Sequence, residues 1–208
     1  MTVVFLARHG QASLGAADYD RLSDPGERQA ARLGAVLAER GITPDRVVHG
    51  SLTRHSQTAS HAGFVDTVID PRWNEIDHVP IMGAMPADDH GTDDGKQHWQ
   101  NAKRRWASGG HDADYPESYA AFGQRITEAL KAAAAGLDSG QTAVVVTSAG
   151  PIAAVINQWL GAGPDVWQRV QTVTVNAALT KVLVSARRTT VLSFNDHSYL
   201  AKDAITYG

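Results

Sequence analysis

The chain's apolar residues fall into two patterns. Val3-Val4-Phe5-Leu6-Ala7 and Ala143-Val144-Val145-Val146 are uninterrupted apolar runs, as expected of strands covered on both faces. Arg46-Val47-Val48-His49 and Val65 to Ile69 read as two further short strands, and Thr172 to Ser185 and Thr190 to Phe194 as two final ones. Between these runs the spacing turns helical. Ala30, Leu33 and Leu37 recur at helical intervals behind Asp24-Pro25-Gly26-Glu27. Asp24 is expected to cap that helix, Pro25 to take its first position and Glu27 to complete a capping box, with Gly41 as the stop. Ser51 is expected to cap a second helix that carries Arg54 and Gln57. Tyr119, Phe122, Ile126, Ala129 and Leu130 form one apolar helical face. Ile152, Val155, Ile156 and Trp159 form another, in a helix opened by Pro151 and ended by Gly161. Strands alternating with helices predict an α/β fold, a three-layer α/β/α sandwich around a mostly parallel sheet.

The stretch from Pro71 to about Pro116 breaks the alternation. It is rich in Asp, His, Gly and Trp, and only Gln97 to Trp106 has helical spacing. Long irregular insertions in compact domains usually serve as lids or binding loops. The chain therefore reads as a single domain, residues 1–208, with a lid or substrate insertion at about 71–116. Trp73, Met82, Met85, Trp99 and Trp106 are expected to form a small core within that lid. The rarer alternative is that they line a pocket for an apolar part of a ligand. Asp88, Asp89, His90, Asp93, Asp94 and His98 supply oxygen and nitrogen atoms but no recognised ligand spacing, so no metal is expected.

Composition narrows the partners. The 208 residues are 43% hydrophobic and carry a formal net charge of -3, which leaves no basic face for nucleic acid. Lys103-Arg104-Arg105 is the one dense cationic cluster and reads as a solvated helix face. Cysteine is absent, so there is neither a disulfide framework nor a thiolate metal site, and a reducing cytosol is permitted. The first apolar run is too short for a signal-peptide core, and no run approaches a membrane span. A cytoplasmic protein without a membrane partner is expected. No Gly-rich dinucleotide or P-loop pattern occurs, so no cofactor is expected. Oligomeric state is not legible.

The chemistry sits where strands end. Arg8-His9-Gly10 follows the first strand, Arg54 begins the helix after the second, Asn74-Glu75-Ile76 follows the third, and Ser148-Ala149-Gly150 follows the fourth. In open α/β sheets, ligands bind at that rim. A neutral imidazole can attack phosphorus while guanidinium groups hold the anionic oxygens bidentately. Gly10 is expected to let the backbone pass close to the ligand.

These segments resemble the histidine phosphatase superfamily, also called phosphoglycerate mutase-like, in the family's order and over nearly the whole chain. Arg8, His9 and Gly10 match its Arg-His-Gly signature. Ser51, Leu52, Arg54, Gln57, Thr58 and Ala59 echo its Ser-x-Leu-x-Arg-x-x-Gln-Thr-Ala pattern, shifted by one residue at the serine. Glu75 looks like its glutamate after the third strand, and Phe194-Asn195-Asp196 like its last strand and turn. The resemblance implies hydrolysis of a small phosphate monoester without a metal. His9 would carry the phosphoryl group, Arg8 and Arg54 would clamp its oxygens, and Glu75 would act as general acid and then base.

Two departures accompany the resemblance. The family usually places a second histidine before a glycine after the fourth strand, where this chain has Ser148 in Thr147-Ser148-Ala149-Gly150-Pro151. Serine can donate a hydrogen bond but brings no charge, and its bland role would be to cap the following helix. His78 and His197 are the histidines expected to compensate. His49, His55, His61 and His111 are expected to have ordinary surface or packing roles. An asparagine that many members place soon after Arg-His-Gly is also missing, so Gln11 or Ser13 would have to contact phosphate. The competing readings are a phosphoglycerate mutase-like phosphotransferase, disfavoured by the short loop after Gly10, and a catalytically weak phosphate-ligand binder, motivated by Ser148.

Overall fold

The computed structural model describes residues 1–13, 20–86, 95–185 and 187–207. Six strands, β1 (Thr2–Arg8), β2 (Arg46–His49), β3 (Val68–Ile69), β4 (Thr142–Thr147), β5 (Leu179–Val184) and β6 (Thr189–Asp196), form one sheet in the order β3-β2-β4-β1-β5-β6. Only β5 runs against the others. Seven helices are described: α1 (Asp24–Glu39), α2 (Thr53–His61), α3 (His78–Gly83), α4 (Gly95–Ala107), α5 (Tyr119–Ala134), α6 (Ala149–Leu160) and α7 (Pro164–Val173).

The sheet is covered on both sides, as its apolar strands require. Alternate residues point to opposite faces. Phe5, Ala7, Val47 and Val144 cluster with Leu33, Val36 and Leu37 of α1. Val4, Leu6, Val48 and Val145 cluster with Phe122, Ile126 and Ala129 of α5 and Ile152 of α6. Register then gathers the polar residues at one rim: Arg8 pairs with Thr147 and His49 with Val146.

Several local expectations are corrected. Ser23, not Asp24, caps α1, accepting from Gly26 N; Glu27 therefore lies past the capping-box position. Ser51 does not cap α2. That helix starts at Thr53, whose N–H donates across the chain to Asp20 at 2.7 Å. β3 has two residues rather than five, because Asp66 adopts a positive φ of 52° and Val65 is exposed. α6 begins at Ala149, ahead of Pro151, and its Trp159 is 46% exposed rather than facing inward. Thr172 and Val173 close helix α7 instead of opening a strand; Pro164 starts that helix and the buried Trp167 anchors it. Asp77 caps α3, a short helix without a periodic signal, by accepting from Val79 N.

The expected core of the lid is not separate. Trp73, Met85 and Trp106 are buried in the same cluster as Val4 and Leu6, with Met82 and Trp99 packed against it. Trp106 meets Tyr119, Phe122 and Trp167 at ring-centroid distances of 5.3, 5.7 and 5.6 Å. Asp88, Asp89, His90, Asp93 and Asp94 lie outside the described residues. No helix among the described residues is long and apolar enough to cross a membrane.

Candidate active site

His9 stands at the end of β1, pinned on both sides. Its N–H donates to Thr147 O at 2.8 Å, and its carbonyl accepts from Ala177 N at 3.2 Å. Nδ1 lies 2.7 Å from Gly10 O. A carbonyl can only accept, so Nδ1 carries the ring proton and the lone pair is on Nε2. Burial, then the Arg8 and Arg54 guanidinium charges and His55, hold the His9 imidazole well below its ordinary pKa, which keeps it neutral. Gly10 has a packing task. A Cβ there would stand 2.3 Å from Gly26 O, and one at Gly26 would stand 2.1 Å from Gln11 O. The two glycines let the start of α1 press against the His9 loop. The tight approach that the structure shows is between these two stretches of chain.

Arg8 donates to Thr174 O, and Arg54 Nη1 donates to Asp20 Oδ1 at 2.7 Å. Two motif residues beyond Arg54 are structural ties. Thr58 Oγ1 accepts from Gly10 N at 3.1 Å, and Gln57 Oε1 accepts from Leu22 N at 2.8 Å. Arg8, His9, Arg54 and Glu75 line one cavity of about 340 Å³. A neighbouring cavity of about 920 Å³ shares Arg54 and Glu75 and reaches His78.

Glu75 is placed by backbone. Its Oε2 accepts from Gly150 N at 2.9 Å and its Oε1 from Ile76 N at 3.0 Å. The approach requires a glycine, because a Cβ on Gly150 would lie 2.0 Å from Oε1. Sequence reasoning missed the groups that hold the Glu75 segment. Thr147 Oγ1 donates to Trp73 O at 2.6 Å. Arg125 Nη1 donates to Arg72 O and Asn74 O at 2.6 and 3.0 Å, while Glu117 braces the same guanidinium at 2.6 and 2.8 Å. Asn74 and Ser51 exchange hydrogen bonds of 2.7 and 2.8 Å, which ties this segment to the turn before α2.

Ser148 occupies the N-cap position of α6 without capping it. Its Oγ lies 2.7 Å from His55 Nε2. His55 is fully buried, and its ring stands 5.6 Å from that of His9. The histidine beside Ser148 is therefore His55, not His78 or His197. His197 Nδ1 donates to Asn195 O at 2.6 Å beyond β6, and His78 stands edge-on to Trp99. His49 donates Nδ1–H to Gly50 O at 2.7 Å. Of the two residues expected to take the place of the asparagine, Gln11 lines the cavity and accepts from Ser23 Oγ at 2.9 Å. Ser13 spends its hydroxyl on Leu22 O at 3.0 Å.

Lys103 corrects the reading of a solvated basic face. It is 5% exposed, lines the smaller cavity, donates to Gln171 Oε1 at 3.1 Å, and has Nζ 5.2 Å from the Trp99 ring centroid. Burial lowers its pKa, against the raising influence of Glu75. The signal was available: Ala102 and Trp106 mark the core stripe of α4, and Trp99 and Lys103 are the stripe beside it, four residues apart.

The model of the histidine phosphatase superfamily (branch 1) matches residues 4–197. No curated protein matches the sequence. Among solved structures, a mutant phosphoserine phosphatase from Entamoeba histolytica in complex with phosphoserine is 19% identical, with a TM-score of 0.69 over 97% of this chain and 100% of that one. Bacillus stearothermophilus YhfR is 20% identical, with a TM-score of 0.71 over 96% and 99%. The α-ribazole phosphatase from Shigella flexneri is 20% identical, with a TM-score of 0.65 over 93% and 96%. At such identities the likeness is one of fold.

Proposed function

The chain belongs to the histidine phosphatase superfamily (branch 1), and from that premise we propose that it hydrolyses a small phosphate monoester through a phosphohistidine on His9. The observation that carries the reading is the His9 tautomer. Nδ1–H is committed to Gly10 O, which leaves the Nε2 lone pair as the nucleophile beside two arginines and a carboxyl in one cavity.

In the first step Nε2 bonds to phosphorus as the ester P–O bond breaks. Glu75, as the acid, delivers its proton to the leaving alkoxide. Arg8 and Arg54 neutralise the oxygens of the transferring group, the main demand of phosphoryl transfer. In the second step water attacks phosphorus, the P–N bond breaks, and the Glu75 carboxylate takes the water proton, releasing phosphate and restoring neutral His9. Gln11 and Ser148 are further contacts for the phosphoryl oxygens, and Ser13 acts by holding the Gln11 loop. The 71–116 insertion acts as the substrate-selecting lid, since it brings Trp99 and Lys103 to the cavity. Lys103 also favours a substrate with a second acidic group. Phosphoserine and 3-phosphoglyceric acid, each bound in a structure of the Entamoeba histolytica phosphoserine phosphatase, have that form.

The test is p-nitrophenyl phosphate hydrolysis in EDTA, with rapid-quench trapping of acid-labile phosphoprotein. Wild type should turn over and label. His9→Ala should do neither, and Glu75→Gln should lose about 10²–10⁴-fold in rate. Undiminished hydrolysis by His9→Ala would overturn the mechanism. Ligand binding without turnover would favour a phosphate-ligand binder.

A further inference from the structure

His55 Nε2 and Ser148 Oγ are 2.7 Å apart, and which of them donates decides what Ser148 can do. The other ring nitrogen settles the direction. His55 Nδ1 is buried and has no hydrogen-bond partner among the described residues. It faces the Gly50 methylene, since a Cβ on Gly50 would stand 2.3 Å from it. A proton on Nδ1 would be a buried N–H with no acceptor, which folded proteins avoid more strictly than an unused lone pair. The proton therefore belongs on Nε2, which donates to Ser148 Oγ. Burial first, then the charges of Arg54 and His49, hold His55 well below its ordinary pKa, so the ring stays neutral and one tautomer persists.

With Oγ accepting from His55, the Ser148 hydroxyl proton must point elsewhere. It is not needed nearby: among the described residues the Ser148 side chain has His55 as its one hydrogen-bond partner, and the hydroxyl does not cap α6. Ser148 lies between Thr147, whose carbonyl holds His9 N at 2.8 Å, and Ala149, which lines the cavity with His9. We propose that His55 is a positioning residue, which donates to Ser148 and so makes the Ser148 hydroxyl a one-way donor to the phosphoryl oxygens at His9. The pair would supply from α2, without a charge, the donor that one longer side chain after β4 would otherwise provide. This inference rests on the phosphatase reading given above.

Vanadate, which adopts the trigonal-bipyramidal geometry of phosphoryl transfer, is the probe, with p-nitrophenyl phosphate kinetics beside it. Ser148→Ala and His55→Leu should each weaken vanadate binding and lower kcat by about 10–100-fold, with KM little changed. The double variant should lose no more than either single one, because His55 acts only through Ser148. His55→Gln, whose amide Nε2 reaches as far as the imidazole Nε2 and can still donate, should recover most of the loss. Nitrogen-15 NMR of the wild type near neutral pH should show His55 protonated on Nε2 and bare on Nδ1. Additive losses, the opposite tautomer, or a Ser148→Ala variant equal to wild type would overturn the inference, and the last two readings hold even if His55→Leu does not fold. A wild type that neither binds vanadate nor hydrolyses the ester would overturn the phosphatase reading itself, and this inference with it.

Discussion

At the scale of single residues, the site depends on where side chains are missing. Gly150 is the clearest case: its N–H holds Glu75, and any Cβ would collide with that carboxylate. Gly150→Ala should therefore displace Glu75 by about an ångström, and kcat on p-nitrophenyl phosphate should fall on the order of 10²-fold. Alanine is the better helix former by about 1 kcal/mol, so the melting temperature should barely change. An unimpaired Gly150→Ala enzyme would show that this placement of Glu75 is not what turnover needs. Arg8, His9, Arg54 and Glu75 were legible because each sits just beyond an apolar run, and strand ends of one parallel sheet share a rim. His55 was not. Its partner is 93 positions away, and nothing in Thr53-Arg54-His55-Ser56 distinguishes a ligand-side imidazole from a packed one. Lys103 was misread for a related reason, since a run of three cations hides that one of them lies on the stripe next to the core.

Among the elements, α4 ties the insertion to the core helices through Trp106. The Trp106 ring packs on Tyr119, Phe122 and Trp167, and its Nε1–H donates to Glu117 O at 2.7 Å. Trp106→Ala should cost about 3–5 kcal/mol, measured as a lower urea midpoint at unchanged m-value. A loss under about 1 kcal/mol would mean that α4 is not part of the cooperative core. The long helices and the buried strands were readable because period and burial agree in them. α3 and α7 were not, and β3 was read too long. The positive φ of Asp66 that shortens β3 leaves no mark in the apolar pattern, α3 makes under two turns, and α7 shares its threonine- and valine-rich end with the strand expected after it. The insertion misled in another way, since aromatic residues without period look like a private core until α5 and α7 supply their partners.

For the molecule as a whole, acid is the predicted weakness. His9 and His55 both have folded pKa values held below the ordinary histidine range, chiefly by burial. Below about pH 6.5 the unfolded chain takes up protons that the folded chain refuses, so stability falls with pH by up to about 1.4 kcal/mol per unit for each histidine. Urea midpoints compared at about pH 7 and about pH 5.5 should show this drop, and His9→Ala should reduce it. An equal drop in His9→Ala would remove His9 from the account.

The sheet order has a consequence for how such a chain comes off the ribosome. β1 is made first, yet its ladder partners are β4 and β5, and β2 also awaits β4 on one side. Until Thr142 to Thr147 emerges, the one ladder between named strands among the described residues is the two-residue pairing of β2 with β3. Loop closure over such a span is slow, so the nascent chain carries the unpaired Val3 to Ala7 edge until β4 emerges and is a natural client for a holding chaperone.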